Sequence, residues 1–210
     1  MQWTLVIPLK PLVRAKSRLA PAAGGLRPGL ALAFAQDTVA AARACAAVND
    51  VVVVTDDARA GAELAALGAR IVPDTPRAGL NAALAHGAAA VRARRPAAPV
   101  AALNADLPAL RPAELARVLG AATAFPRAFL PDAAGIGTTL LSAAPGAELR
   151  PVFGAASRAR HTASGAAELT LDGVDSVRQD VDTGDDLRTA LALGVGAYTV
   201  RAAAGLLTVD

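Results

Sequence analysis

The sequence predicts a three-layer α/β domain in which helices cover both faces of a mostly parallel β-sheet. Strand-like and helix-like segments alternate through the first half of the chain, which is the pattern of β–α–β units. Residues 51–54 are four consecutive valines, and such a run is typical of a strand that is buried on both faces. A chain of 210 residues without a linker-like stretch is expected to form one domain over residues 1–210.

The first half of the chain contains the clearest elements. Short apolar runs predict strands at residues 4–8, 51–55, 70–72 and 100–103. Apolar periodicity and breaker residues predict helices at residues 29–44, 58–67, 79–94 and 112–120. Residues 9–28, between the first strand and the first helix, predict a basic loop that contains proline. Ligands of such sheets bind beyond the carboxyl ends of the strands, so we expect binding residues in the segments that follow strands.

The second half of the chain has a weaker pattern. Strands are predicted at residues 129–130 and 138–142, and helices at residues 157–165 and 183–193. Residues 168–171 and 177–182 are predicted to be extended, and the chain is expected to finish with a short extended piece and a tail that reaches residue 210.

Composition excludes several classes of function. Aromatic residues make up only 3% of the chain, which argues against binding of single-stranded nucleic acid by base stacking. The net charge is +3 and the basic residues are scattered along the chain, so no basic patch for binding double-stranded nucleic acid is expected. Cys45 is the one cysteine, which rules out an internal disulfide and suggests a small buried side chain. We see no signal peptide or membrane span, and we expect a cytoplasmic protein.

The loop after the first strand carries four cations within nine residues: Lys10, Arg14, Lys16 and Arg18. Lys10 and Lys16 are the two lysines of the chain, whereas every other basic residue is arginine. Lysine supplies a compact charge and arginine a bidentate fork, which together suit a triphosphate. The glycines of a Walker loop are absent. A solvated basic loop, with lysines retained by chance, is the alternative.

Three aspartates are candidate magnesium ligands. Asp106 follows the strand at residues 100–103, and Asp180 and Asp182 would lie on one face of an extended segment. Carboxylate oxygens suit magnesium, and three converging carboxylates need a cation or protonation to relieve their repulsion. The alternatives are an ordinary turn aspartate at Asp106 and helix capping by Asp182. Helix capping is the interpretation for Thr183 and for the next two aspartates, at positions 185 and 186.

These segments occur in order with further motifs: PLKPLxxAKSRL at residues 8–19, GLNAAL at 79–84, ADLP at 105–108, GTTLL at 137–141, FGxxS at 153–157 and DVDT at 180–183. The combination resembles the guanylyltransferases of coenzyme F-420 biosynthesis, which act on 2-phospholactate or phosphoenolpyruvate. The resemblance runs over nearly the whole chain. It implies a Rossmann-like fold of the nucleotide-diphospho-sugar transferase type, and transfer of GMP from GTP to the phosphate of a three-carbon acid with release of pyrophosphate.

The resemblance also implies a role for each matching position. The GTP phosphates would be held by Lys10, Lys16 and Arg18, and magnesium by Asp106, Asp180 and Asp182. The nucleoside would be lined by Pro73, Asp74, Gly79, Leu80 and Asn81. The phosphate and carboxylate of the acceptor would be held by Thr138 or Thr139, Gly154 and Ser157.

One site residue has an alternative role, and three other residues differ from the family motifs or lie outside them. Ser157 is also a candidate cap of the helix that follows it. Gly184 stands where the family often has proline, and His86 and His161 match no motif and receive no role.

Other functions stay open at this point. A related nucleotidyltransferase could act on a molybdopterin or a sugar phosphate, and a nucleotide-binding module could lack turnover altogether. The sequence does not choose between phosphoenolpyruvate and 2-phospholactate. It also leaves undecided the oligomeric state, the number of magnesium ions and the residue that reads guanine.

Overall fold

The computed structural model describes residues 1–204. Its centre is a seven-stranded sheet with the order β3-β2-β1-β4-β6-β5-β7. The strands are β1 (Trp3–Pro8), β2 (Val48–Val54), β3 (Arg70–Val72), β4 (Val100–Leu103), β5 (Arg127–Pro131), β6 (Thr138–Ala143) and β7 (Ala167–Glu168). Each pairs in parallel with its neighbours, except that β6 runs antiparallel to both β4 and β5.

Nine α-helices lie in the described part of the chain. They are α1 (Ala20–Ala23), α2 (Arg27–Ala44), α3 (Ala58–Ala66), α4 (Leu80–Arg94), α5 (Pro112–Ala122), α6 (Ser157–Ala163), α7 (Asp175–Arg178), α8 (Gly184–Leu193) and α9 (Ala197–Ala204). None of the helices within residues 1–204 is long and apolar enough to cross a membrane.

The two faces of the sheet belong to different hydrophobic clusters. Val51 and Val53 pack in the cluster that contains residues of α2, α3 and α5, whereas Val52 and Val54 pack in the cluster that contains α4. Helix α4 lies so close to the sheet that a Cβ at Gly87 would meet Val6 and Val54 at 2.6 and 2.7 Å. The predicted α/β class, with a mostly parallel sheet covered on both faces, is therefore confirmed.

The loop predicted at residues 9–28 is more structured than expected. It contains 3₁₀ turns at Leu12–Arg14, Ser17–Leu19 and Gly24–Leu26, as well as α1. Helix α2 begins at Arg27, two residues before the predicted start, because Pro28 is compatible with the first turn of a helix. The burial predicted for Cys45 is confirmed, since its side chain is 2% exposed.

The prediction that residues 177–182 are extended is wrong for residues 177 and 178, which belong to helix α7. Residues Asp175–Arg178 form α7, because Glu114 of α5 accepts hydrogen bonds from the amide and hydroxyl of Ser176 at 2.9 and 2.8 Å. Arg178 also donates to the carbonyl of Pro131 at 3.0 Å. These are contacts with distant segments, and the local sequence pattern does not report them.

Two further predictions about the second half need correction. Of the extended segment at residues 168–171, only residue 168 belongs to a strand, the two-residue β7. A short extended piece was predicted after residue 193, but residues 194–204 contain helix α9 instead of a strand. The first amides of α9 are capped by a carboxylate on another helix, since Asp37 accepts from the amides of Tyr198 and Thr199 at 3.1 and 2.8 Å. The last six residues of the predicted tail, 205–210, lie outside the described residues.

Candidate active site

A cleft of about 600 Å³ lies beyond the carboxyl ends of β1, β4 and β5. Because β6 is antiparallel, its first residue, Thr138, also reaches this edge of the sheet. The charged side chains that line the cleft are four cations and four acids, namely Lys10, Arg14, Lys16, Arg18, Asp106, Asp132, Asp180 and Asp182. The cleft is therefore a strongly polar site with both signs of charge.

Two side chains fix the shape of the basic loop: Asp57, the N-cap of α3, and Arg27 of α2. Asp57 accepts from the amide of Leu12 at 2.8 Å and from the amide of Ala60, in the first turn of α3, at 3.0 Å. These two N–H groups hold the pKa of Asp57 below its usual range. Arg27 adds hydrogen bonds to the carbonyls of Val13 and Ala15. The loop thus has a defined shape that presents its cations to the cleft.

Lys16 joins the basic loop to the acids. Its ammonium donates to Asp106 Oδ2 and, at 2.7 Å, to Asp182 Oδ1. The side chain of Lys16 is 11% exposed, and those of Asp106 and Asp182 are 18% and 49% exposed. Burial opposes the charge of Lys16, but the two carboxylates outweigh it and raise its pKa. The Lys16 backbone has φ of +55°, a left-handed conformation that few non-glycine residues adopt.

Asp180, one of the three aspartates, has a carboxyl with a raised pKa. Burial raises the pKa of its carboxyl to about 8, and repulsion from Asp106 and Asp182 adds to that rise. The pKa of Asp182 is instead lowered, because Lys16 and then Arg18 outweigh the effect of burial. The two carboxylates therefore differ in charge preference although they are two residues apart.

Local structure explains how this acidic segment reaches the cleft. The amide of Val181 donates to the carbonyl of Asp106 at 3.1 Å, which ties the segment to the end of β4. Thr183 and Asp186 then form a capping box at the start of α8, and Asp186 also accepts from the amide of Asp182. The capping role predicted for Thr183 is confirmed.

The acids of residues 1–204 do not form a ready-made cluster of three metal ligands. The ammonium of Lys16 lies between Asp106 and Asp182 and bonds to both. A divalent cation nevertheless fits the chemistry of the donor set. Asp106 Oδ1 is buried without a hydrogen-bond partner among the described residues, and Asp180 is repelled by its neighbours. Both features are compatible with a bound cation at this place.

The opposite wall of the cleft carries hydroxyls and a loop before α6. Thr138 and Ser157 are 4% and 2% exposed, and both line the cleft. The side-chain amide of Asn81 fixes this loop, since it accepts from the amide of Phe153 at 2.8 Å and donates to its carbonyl at 3.1 Å. Gly154, with φ of +113°, follows at the surface of the cleft.

Most of the predicted site residues come together. The predicted residues that line the cleft are Lys10, Lys16, Arg18, Leu80, Asp106, Thr138, Gly154, Ser157, Asp180 and Asp182. The predicted residues that do not line it are Pro73, Asp74, Gly79, Asn81 and Thr139.

The predicted residues outside the lining have other surroundings. Asp74 lies in a loop held by Asp56, which accepts from its amide at 3.0 Å. Thr139 is buried, and its hydroxyl has no partner within residues 1–204. The prediction that Ser157 caps α6 is wrong, because Ala156 is the N-cap and Ser157 makes no capping bond.

The sequence reasoning missed three residues that shape the site. Asp132 closes the loop between β5 and β6 by accepting from the amides of Ile136 and Gly137 at 2.9 and 2.8 Å. It follows a strand just as Asp106 does, so the rule that found Asp106 applies to it as well. The third residue is His161 in α6, whose Nδ1 lies 2.9 Å from the hydroxyl of Thr138. The contacts of Asp57 and His161 join distant segments, and no motif signals them.

Fold and cleft together define a nucleotidyltransferase-type domain, and comparison with known proteins agrees. The MobA-like NTP transferase domain matches residues 31–176. A phosphoenolpyruvate guanylyltransferase of Streptomyces coelicolor is 79% identical over 99% of this chain and 98% of its own length. The chain therefore belongs to the MobA-like NTP transferase family and, within it, to the phosphoenolpyruvate guanylyltransferases. The resemblance inferred from the motifs is confirmed.

Solved structures support the fold. A Desulfovibrio desulfuricans protein, assigned as a nucleotide-diphospho-sugar transferase, superposes with a TM-score of 0.67 at 16% identity, over 99% of this chain and 97% of the other. A Mycobacterium tuberculosis protein solved in complex with manganese superposes with a TM-score of 0.54 at 24% identity, over 91% of this chain and 99% of the other. At these identities the likeness establishes the fold alone.

Proposed function

We propose that this chain transfers GMP from GTP to the phosphate of phosphoenolpyruvate and releases pyrophosphate. The observation that carries the proposal is the single cleft in which the cations of the basic loop meet Asp106, Asp180 and Asp182, with the hydroxyls of Thr138 and Ser157 opposite. Membership in the phosphoenolpyruvate guanylyltransferases supports the same reaction.

The basic loop is the proposed binding site for the triphosphate. Lys10 and Arg18 are exposed at the cleft, so their charges are available to a ligand. Lys16 is held by Asp106 and Asp182, and we infer that it turns to the phosphates when GTP binds. Cations at this place stabilise the negative charge that develops on pyrophosphate as it leaves.

Magnesium is the proposed cofactor, held by Asp106, Asp180 and Asp182. The all-oxygen donor set matches its preference, and the unpartnered Oδ1 of Asp106 together with the repulsion at Asp180 supports a cation there. When bound, magnesium would neutralise phosphate charge and orient the triphosphate. The manganese in the Mycobacterium tuberculosis neighbour belongs to that protein, and it is compatible with a divalent ion in this fold.

The proposed reaction needs positioning more than proton transfer. A phosphate oxygen of the acceptor attacks the α-phosphorus of GTP, the new O–P bond forms, and the bond to the β-phosphate breaks with its electron pair on pyrophosphate. A phosphate dianion is already nucleophilic, so no general base is required. The residues of the cleft hold the two anions close to each other and offset their repulsion.

The acceptor is proposed to lie against Thr138, Gly154 and Ser157. Two hydroxyls and an exposed loop backbone offer hydrogen-bond donors to the phosphate and carboxylate of a small acid. The nucleoside is proposed to lie near Leu80, at the start of α4, which lines the cleft. The roles proposed for the five predicted residues that do not line the cleft would require these residues to approach a bound ligand; they are Pro73, Asp74, Gly79, Asn81 and Thr139.

The experiment is incubation of the protein with GTP, magnesium and either phosphoenolpyruvate or 2-phospholactate, followed by mass spectrometry of the products. The expected result is a GMP adduct of phosphoenolpyruvate and stoichiometric pyrophosphate. An adduct with 2-phospholactate alone would reassign the acceptor. Absence of pyrophosphate with every acceptor tried, including a molybdopterin and a sugar phosphate, would indicate a binding module.

A further inference from the structure

A buried histidine stands directly behind the acceptor side of the cleft. The ring of His161, in α6, is 0% exposed and packs against Phe129 and Phe153, with ring centroids 5.6 and 4.9 Å away. Its Nδ1 lies 2.9 Å from the hydroxyl of Thr138, and its Nε2 lies 3.2 Å from the amide nitrogen of Val152. Both ring nitrogens are thus used, one of them on a residue of the cleft.

The contact with Val152 fixes the tautomer. A backbone amide can only donate, so Nε2 must be the unprotonated, accepting nitrogen. A neutral imidazole then carries its proton on Nδ1, and that N–H points at Thr138 Oγ1. Burial, then the charges of Arg127 and Arg160, lowers the pKa of His161 to about 4, which keeps the ring neutral near pH 7.

The direction of this hydrogen bond decides what Thr138 can do. A hydroxyl has one hydrogen to donate and accepts through its lone pairs. If Thr138 accepts from His161, its own hydrogen is not spent on the protein. Within residues 1–204, His161 is the one side-chain partner of the Thr138 hydroxyl. The hydroxyl hydrogen is then available to an anion in the cleft, which Thr138 lines.

We propose that His161 is a positioning residue, which holds the hydroxyl of Thr138 as a hydrogen-bond donor toward the anionic acceptor. This rests on the proposed function, since it assigns a finer role to the acceptor side of the same site. His161 touches neither substrate. It acts by excluding the alternative in which Thr138 donates to a ring nitrogen and offers only lone pairs, which would repel a phosphate or carboxylate.

The first test concerns the tautomer and needs no turnover. In protein labelled with ¹⁵N-histidine, the His161 ring should show a protonated Nδ1 and an unprotonated Nε2 at pH 7, and the His86→Gln variant separates its signals from those of the other histidine. A ring protonated at Nε2, or at both nitrogens, would overturn the proposal. This result is independent of whether phosphoenolpyruvate is the substrate.

The second test is a double-mutant cycle with steady-state kinetics. Thr138→Val removes the hydroxyl at similar volume, and His161→Phe removes both hydrogen bonds. Each is expected to raise KM for phosphoenolpyruvate about tenfold to a hundredfold, the range for one lost donor to a charged group, with little change in KM for GTP. Because both act through one hydroxyl, the double variant should be no worse than Thr138→Val alone.

Two further variants guard against a purely structural explanation. His161→Gln keeps a donor and an acceptor and should recover part of the affinity for phosphoenolpyruvate. His86→Gln, on α4, should leave both KM values unchanged. Additive losses in the double variant, or equal increases in KM for GTP and for phosphoenolpyruvate, would mean that His161 only supports the fold. If the wild-type protein formed no adduct at all, the proposed function would fail while the tautomer test still stood.

Discussion

Replacing Lys16 by methionine removes the charge that joins the basic loop to the acids and keeps most of the side-chain volume. At 2.7 Å from Asp182, the attraction is about 6 kcal/mol for an effective dielectric of 20, and it is largely offset by the cost of burying the ammonium. Asp182 is half exposed, so solvent screens part of what remains. We expect Lys16→Met to lower the free energy of unfolding by about 1–3 kcal/mol.

The assay is urea denaturation at pH 7 without nucleotide, with and without magnesium. In the variant, the place between Asp106 and Asp182 is free for a divalent cation, so magnesium should stabilise the variant more than the wild-type protein. Lys10→Met is the matched control, because Lys10 is exposed and forms no ion pair within the described residues. If Lys16→Met matched the wild-type protein in stability and in its response to magnesium, the counter-ion role of Lys16 would be refuted.

The remaining predictions concern activity and pH. Asparagine at Asp106, Asp180 or Asp182 should abolish most turnover without unfolding the protein, and near-normal turnover in two of the three variants at saturating magnesium would contradict the metal assignment. Asp180→Asn should also stabilise the metal-free protein in urea denaturation, because it relieves repulsion. Lys10→Arg and Lys16→Arg should each have a lower kcat/KM for GTP than the wild-type protein, because a planar guanidinium replaces a compact ammonium. Full activity in both variants would show that lysine has no special function at these positions. GTP should be used in preference to ATP, and equal turnover would defeat that expectation. The pKa of His161 is about 4 in the folded protein and about 6.5 in the unfolded chain. The contribution of neutral His161 to the free energy of unfolding is therefore fully present above pH 6.5 and is lost as the pH falls toward 4. Between pH 7 and pH 5, the wild-type protein should lose about 2 kcal/mol more of its free energy of unfolding than His161→Gln, and parallel pH profiles of stability would refute this.

The sequence was most informative where a feature is local. The valines of β2 predicted a strand buried on both faces, and the ends of β1 and β4 predicted where cations and acids would meet. The clustering of Lys16 with Asp106 follows from a general property of parallel sheets, because the residues after adjacent strands share one edge.

The sequence was least informative where distant segments decide the structure. Helix α7 depends on Glu114 in α5, and helix α9 is capped by Asp37 in α2, 161 positions before Tyr198. Asp57 and His161 act in the same way, since each holds a backbone or hydroxyl group supplied by another element. Their residue types are common in turns and cores, so neither attracts notice without the contacts.

Among the strands of residues 1–204, only β6 is reversed, and it brings a later part of the chain to the edge of the sheet where the cleft lies. The basic loop and Asp106 follow the parallel strands β1 and β4, whereas Thr138, the turn containing Gly154, Asp180 and Asp182 come from β6 and the segments after it. Under the proposed roles, substitutions in the turn that contains Gly154 would alter the acceptor side of the cleft and leave the basic loop unchanged. Under the same roles, Thr138 and residues 154–157 are the positions to vary when a different acceptor is wanted.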